Sequence, residues 1–265
     1  MFNLTPVVRN LLFLNLGMML LTSALMPGLM RWLALFPPQS ELFRPFQFVT
    51  YMFLHGGLMH IFSNMFGLIS FGPMLEMRWG AKRFLLFWMV CGVGAGVLYS
   101  GIRYYEIAQM DRARQEFVQD PTGVGLSDFF RDYAPLYGGY EPVAREMERN
   151  PGDQELKQSA TRTVNAIYND AVNNPRASGM VGASGALFGI LLAFAYLFPN
   201  TELMLLFLPF PIKAKYFVAL YGIYELYAGI QRNPGDNVAH FAHLGGMLFG
   251  FLLLKYWEKH HSRFY

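Results

Sequence analysis

The chain predicts an all-α membrane bundle, on three observations. Its 265 residues are 54% hydrophobic but only 15% charged, with a mean hydropathy of +0.25. A soluble domain of this size carries about a quarter charged residues. Apolar runs of spanning length recur along the chain, separated by short turns. One long polar stretch, from Arg103 to Ser178, interrupts them.

Six membrane helices follow from the apolar runs. The first covers Leu11 to Met26 and is broken by Pro27-Gly28. Arg9, the apolar run and Thr22-Ser23-Ala24 have the outline of a signal peptide, but the run is long and more follow, so it reads as a span. Leu29 to Phe36, interrupted by Arg31, reads as interfacial. Pro37-Pro38 and Arg44-Pro45 mark a loop, and Phe46 to Leu58, with His55 and Gly56-Gly57, reads as an irregular, half-inserted segment. The second span runs from about Met59 to Leu75 and ends in the short basic turn Glu76 to Arg83. The third is Phe84 to Ile102, with Gly92, Gly94 and Gly96 suited to close packing. Ser184 to Phe198 is the fourth, Tyr216 to Ile230 the fifth and Val238 to Trp257 the sixth. Leu203 to Phe210, bounded by prolines, reads as an interfacial hairpin.

Within the polar stretch, Arg103 to Gln119 and Asp153 to Asn173 are amphipathic, with Asp153 placed to cap. The chain therefore divides into a membrane core over 1–102, a polar insertion over 103–178 and a second part of the core over 179–265. Short segments put Arg9, Arg78, Lys82, Arg83, Lys213, Lys215, Lys255, Lys259 and Arg263 on one side, against Arg31, Arg44 and Arg232 on the other. That asymmetry places both termini inside and the insertion outside. A prokaryotic cytoplasmic membrane is the expected location. Nucleic acid is excluded as a partner because no basic patch carries interleaved aromatics. Cys91 is the single cysteine, which rules out an internal disulfide and a cysteine-based zinc site.

Polar groups at membrane depth are costly and mark function. Three such constellations open the second, fourth and sixth spans, and the topology sets them at one depth. His60 and Asn64, four apart, share a helix face. They suit either an oxyanion hole or a polar stitch between helices. Ser184 lies between Gly182 and Gly185 at a helix start, where its unpaired N–H and the helix dipole favour negative charge. It suits a nucleophile or, more blandly, a small packing residue. Gly185 with Gly189, and Gly246 with Gly250, form two small-xxx-small faces. Their approach would bring His243 to Ser184 as a general base. His240 is the rival, but lacks the phase with Gly246 and Gly250. The two histidines have no carboxylate at metal-ligating spacing, so no metal is expected. Glu225, inside the fifth span, reads as facing the bundle or a water-filled space. Asp236 offers either a third triad member or a helix cap, and its Pro-Gly-Asp-Asn turn favours the cap. The reading is a dyad.

Taken as an ordered set, His60-x-x-x-Asn64, Gly182-x-Ser184-Gly185 with Gly189, and Ala242-His243-x-x-Gly246-x-x-x-Gly250 resemble the rhomboid intramembrane serine proteases. The resemblance covers the six spans and not the insertion. It implies Ser184 as nucleophile, His243 as base, and His60, Asn64 and the Ser184 amide as oxyanion stabilisers. Phe188 stands where the family often has a tyrosine against the catalytic imidazole, and so lacks its hydroxyl. Phe46-Gln47 replaces a Trp-Arg pair of the first outer loop, which keeps the loop without its charged anchor. Glu76 matches a structural glutamate. The implied activity is peptide-bond hydrolysis in single-span membrane proteins, with no cofactor. A non-catalytic relative that binds transmembrane clients and a lipid acyl hydrolase are the alternatives; retention of both Ser184 and His243 argues against the first.

Overall fold

The computed structural model describes residues 4–174, 178–204, 210–231 and 238–260. In chain order the helices are α1 (Pro6–Leu20), α2 (Met30–Leu33), α3 (Gln47–Thr50), α4 (Leu58–Trp79), α5 (Ala81–Gln119), α6 (Gly123–Tyr133), α7 (Tyr140–Arg149), α8 (Gln154–Asn173), α9 (Ser184–Leu197), α10 (Ala214–Gln231) and α11 (His240–His260). Strands β1 (Glu202–Leu203) and β2 (Ile212–Lys213) pair antiparallel, so the expected hairpin forms, although its tip lies outside the described residues.

Among the described residues, three helices are long and apolar enough to cross a membrane: Pro6–Leu25, Leu58–Trp79 and Ala81–Gln119. The fourth expected span, α9, is apolar but has 14 residues, because it starts at Ser184. α10 and α11 have 18 and 21 residues. Their apolar runs are diluted by Glu225 in one and by His240, His243 and Lys255 in the other.

α1 begins with Pro6 at its first position and would leave its first N–H groups without acceptors. Glu76, buried on α4, supplies them: its carboxylate accepts from the Val7 and Val8 amides at 2.9 Å each and from the Thr5 hydroxyl at 2.5 Å. The structural role expected for Glu76 is thus a cap delivered across two helices. Gly80, at φ 80°, makes the whole turn from α4 into α5.

The third expected span and the amphipathic helix from Arg103 to Gln119 are one element. α5 continues without interruption for 39 residues, roughly 58 Å. No proline or glycine intervenes between Ile102 and Gln119, and helix hydrogen bonding does not require the surroundings to stay apolar. Its second half packs with α6, α7 and α8 around a separate core that includes Met110, Phe117, Phe129, Phe130, Met147 and Val164. Asp153 caps α8, accepting from the Leu156 amide at 2.9 Å. This polar part is tied to the first long loop: Gln39 Nε2 donates to the Tyr104 carbonyl, and the Ser40 hydroxyl and Glu41 amide both donate to Asn173 Oδ1.

That loop is organised by Gln47, which is 0% exposed. Its Oε1 accepts from the Phe36 and Arg44 amides, and its Nε2 donates to the Trp32 and Leu42 carbonyls. A neutral side chain with all four bonds made does the anchoring in place of a charged one. Gln47→Leu leaves those four backbone groups unpaired. It is expected to cost about 3 kcal/mol or more, read as a lowered midpoint in thermal unfolding of the detergent-solubilised protein.

Candidate active site

The site forms where the starts of α4, α9 and α11 meet. The approach to α9 is held from both sides. Leu35 and Met180 exchange backbone hydrogen bonds at 2.9 Å, and the Gly182 amide donates to the Tyr51 carbonyl at 3.0 Å. Gly182 has φ 133°, and a Cβ there would stand 2.7 Å from His60 Nε2 and 3.6 Å from Ser184 Oγ. Only glycine suits that turn, and the same point is flanked by the imidazole and the hydroxyl.

α9 and α11 touch backbone to backbone. A Cβ on Gly246 would fall 1.8 Å from the Gly185 carbonyl oxygen, and one on Gly250 would fall 3.3 Å from Gly189 Cα. Gly189 also faces Cys91 of α5, and Gly185 faces Ala95. Larger residues at these notches would hold the helices apart. With the notches closed, His243 Nε2 lies 2.8 Å from Ser184 Oγ. Phe188, one turn along α9, stacks flat on the His243 ring, with centroids 4.1 Å apart and planes 7° from parallel. The phenyl ring sets the plane of the imidazole but offers no polar atom to choose its rotation in that plane.

Ser184 is the first residue of α9, so its N–H has no acceptor within the helix. His60 Nδ1 accepts from the Gly56 amide at 3.3 Å, which places its proton on Nε2, the nitrogen beside Gly182. Asn64 is buried on the same helix face, and its Nδ2 donates to the His60 carbonyl at 3.0 Å. One of its two amide protons is therefore engaged within α4. His55 stands edge-on to His60 with centroids 5.0 Å apart. Burial pushes its imidazole down to about 4, with His60 adding to the effect, so it is neutral around pH 7.

The pairing of Glu225 with His240 and His243 did not emerge from sequence spacing. Glu225 of α10 does face the bundle, at 1% exposure, but it ends against both histidines of α11. Its Oε2 is 2.6 Å from His240 Nδ1 and 2.9 Å from His243 Nδ1. The second contact does not form a hydrogen bond, so His243 Nδ1 is close to the carboxylate but unpaired. His243, not His240, reaches the serine; His240 turns its Nδ1 to the carboxylate. The sequence did carry a signal, an acid in the middle of an apolar helix, but not its partner. Asp236, the other candidate acid, lies outside the described residues.

The carboxylate missing at metal-ligating spacing in the sequence is thus supplied by α10. Ligand atoms of Glu225, His240 and His243 all lie within 4.8 Å of one another, a set that a divalent ion could bridge. Glu225 Oε2 also lies within hydrogen-bonding distance of each imidazole, so a proton on His240 Nδ1 holds the carboxylate without an ion. A hydroxyl beside an imidazole, next to a free helix N-terminus and an imidazole N–H, is a set suited to acyl transfer.

A family model for the rhomboid domain matches residues 41–127 and 162–258. The match enters the polar stretch at both ends and omits its middle, residues 128–161. Among curated proteins, an uncharacterised mitochondrial rhomboid protein of Schizosaccharomyces pombe is 28% identical over 221 residues, covering 80% of this chain and 51% of the relative. The rhomboid protease AarA of Providencia stuartii is 26% identical over 151 residues, 55% of this chain and 54% of that protein. A mitochondrial RHOMBOID-like protein of Arabidopsis thaliana is 40% identical over 50 residues, 19% of this chain and 16% of its own length. The chain spans about half the length, or less, of these relatives. Mitochondrial and bacterial proteins both occur among them, so the expectation of a prokaryotic membrane gains no support. With more than half of its residues matched to that domain and its apolar helices in place, this integral membrane protein belongs to the rhomboid family.

Proposed function

We propose that the chain is an intramembrane serine endopeptidase acting on transmembrane segments. The observation that carries the reading is the 2.8 Å contact between Ser184 Oγ and His243 Nε2. α1, α4, α5, α9, α10 and α11 serve as the six spans. The polar region around α6, α7 and α8 stands on the less basic side with the site, and the basic segments face the opposite side. Residues 1–102 and 179–265 act as one membrane core, and residues 103–178 as the polar addition.

In the first half of the reaction Ser184 Oγ bonds to the scissile carbonyl carbon while its proton passes to His243 Nε2. The carbonyl π electrons move to oxygen, and the resulting oxyanion is met by the Ser184 N–H, His60 Nε2–H and the second amide proton of Asn64. The C–N bond then breaks and His243 returns the proton to the leaving nitrogen. Water repeats the sequence on the acyl-enzyme, with His243 again as base, and frees Ser184. No cofactor enters any step.

The test uses the purified full chain in liposomes with a single-span peptide. Wild type is expected to cut it at least 10³-fold faster than Ser184→Ala. Equal rates would remove the protease reading and leave the alternatives, client binding or lipid acyl hydrolysis; release of fatty acid from the liposome lipids, dependent on Ser184, would identify the latter.

A further inference from the structure

We infer that Glu225 is a positioning residue for the general base, making the site a Ser184–His243–Glu225 relay rather than a dyad, with His240 holding the carboxylate in place. This deepens the serine hydrolase reading and rests on it. Three observations carry it.

The first is distance and burial. Glu225 is 1% exposed and His240 and His243 are each 7% exposed, yet Oε2 stands within 2.9 Å of both Nδ1 atoms. A buried carboxylate in an apolar helix is stable only when paired and hydrogen-bonded. The second is tautomer. A carboxylate only accepts, so the protons of both imidazoles are drawn to Nδ1. For His243 this leaves Nε2 as an acceptor facing the Ser184 hydroxyl, the one tautomer in which it works as a base. The third is the gap left by Phe188. Stacking fixes the plane of the imidazole but not its in-plane rotation, and His243 Nδ1 otherwise has no aligned partner.

During proton transfer, His243 becomes an imidazolium beside a carboxylate that is already in place. Glu225 gains no proton; the 2.9 Å contact becomes a hydrogen-bonded ion pair as the charge appears. Catalytic hydrogen bonds are often misaligned before substrate binds. His240 Nδ1 at 2.6 Å keeps Oε2 from turning away. Among the described residues, the ionisable groups facing this assembly are His60 from α4, Tyr221 and Tyr224 from α10, and His240 from α11.

The experiment compares wild type, Glu225→Gln and Glu225→Asp in liposomes. Two readouts are taken: peptide turnover across pH, and the rate at which a fluorophosphonate labels Ser184. Glu225→Gln is expected to lower kcat by about 10²-fold or more with KM within about threefold. The labelling rate falls in step. The acid limb of the kcat/KM profile moves to lower pH by about one unit. Glu225→Asp, which keeps the charge, regains at least about tenfold of the loss. A kcat within about threefold of wild type for Glu225→Gln overturns the inference. So does a loss with the acid limb unmoved and no recovery in Glu225→Asp, which is the pattern of mere misfolding. One zinc per chain in purified wild type, absent from Glu225→Gln, also overturns it in favour of a metal centre. If wild type cuts no peptide but is labelled at Ser184, the peptidase reading fails while the labelling rates still decide the role of Glu225.

Discussion

His243→Gln is expected to reduce cleavage of a transmembrane peptide by about 10³-fold or more while the protein stays folded. The glutamine amide can still meet Glu225, so the buried acid keeps a donor. Its carbonyl oxygen is far too weak a base to take the Ser184 proton. The loss should fall on kcat rather than KM, because proton transfer occurs only in the transition state. Ser184 and His243 act through a single 2.8 Å contact, so the Ser184→Ala/His243→Gln double variant should be no slower than either single variant. Additive losses would mean that the two side chains work separately. Retention of near-normal turnover in His243→Gln would move the base elsewhere, to His60 or His240.

Among the described glycines, Gly246→Ala is expected to be the most destabilising substitution by alanine. The added Cβ would lie 1.8 Å from the Gly185 carbonyl oxygen, and both atoms belong to helix backbone. No side chain can rotate away, so α9 and α11 must separate. Overpacking of this kind costs about 3 kcal/mol or more, and any separation of the helices also parts Ser184 from His243. Unfolding midpoint and turnover should therefore fall together. Gly101→Ala is the matched control: it sits inside α5 with nothing within 4 Å of its new methyl. There the better helix propensity of alanine should leave stability unchanged or raised by up to about 1 kcal/mol. Equal effects of the two substitutions would show that the helix crossing is looser than the backbone contact implies.

The gap between sequence and structure is clearest in three places. The helix notches were legible, since glycines four apart on two apolar helices have few other uses. The continuation of α5 to Gln119 was not, because a drop in hydropathy marks a change of surroundings and not of hydrogen bonding. Gln47 looked like the loss of a charged anchor. Its four hydrogen bonds join partners from Trp32 to Arg44, which only a folded loop brings together.

By itself the sequence determined the membrane class, the family and the three polar stations that open α4, α9 and α11. Each of these is written in local composition or in a spacing of three or four residues, which helix geometry converts directly into a shared face. Only the tertiary structure decided how those stations meet. It brought His243 rather than its neighbour to Ser184 and sent the His240 ring to Glu225. It also placed that acid, 18 residues before His243 in the chain, 2.9 Å from the imidazole. The physical reason is that a hydrogen bond depends on fractions of an ångström and on direction. Across separate helices both are set by how closely the backbones pack, and no spacing along a single chain encodes that distance.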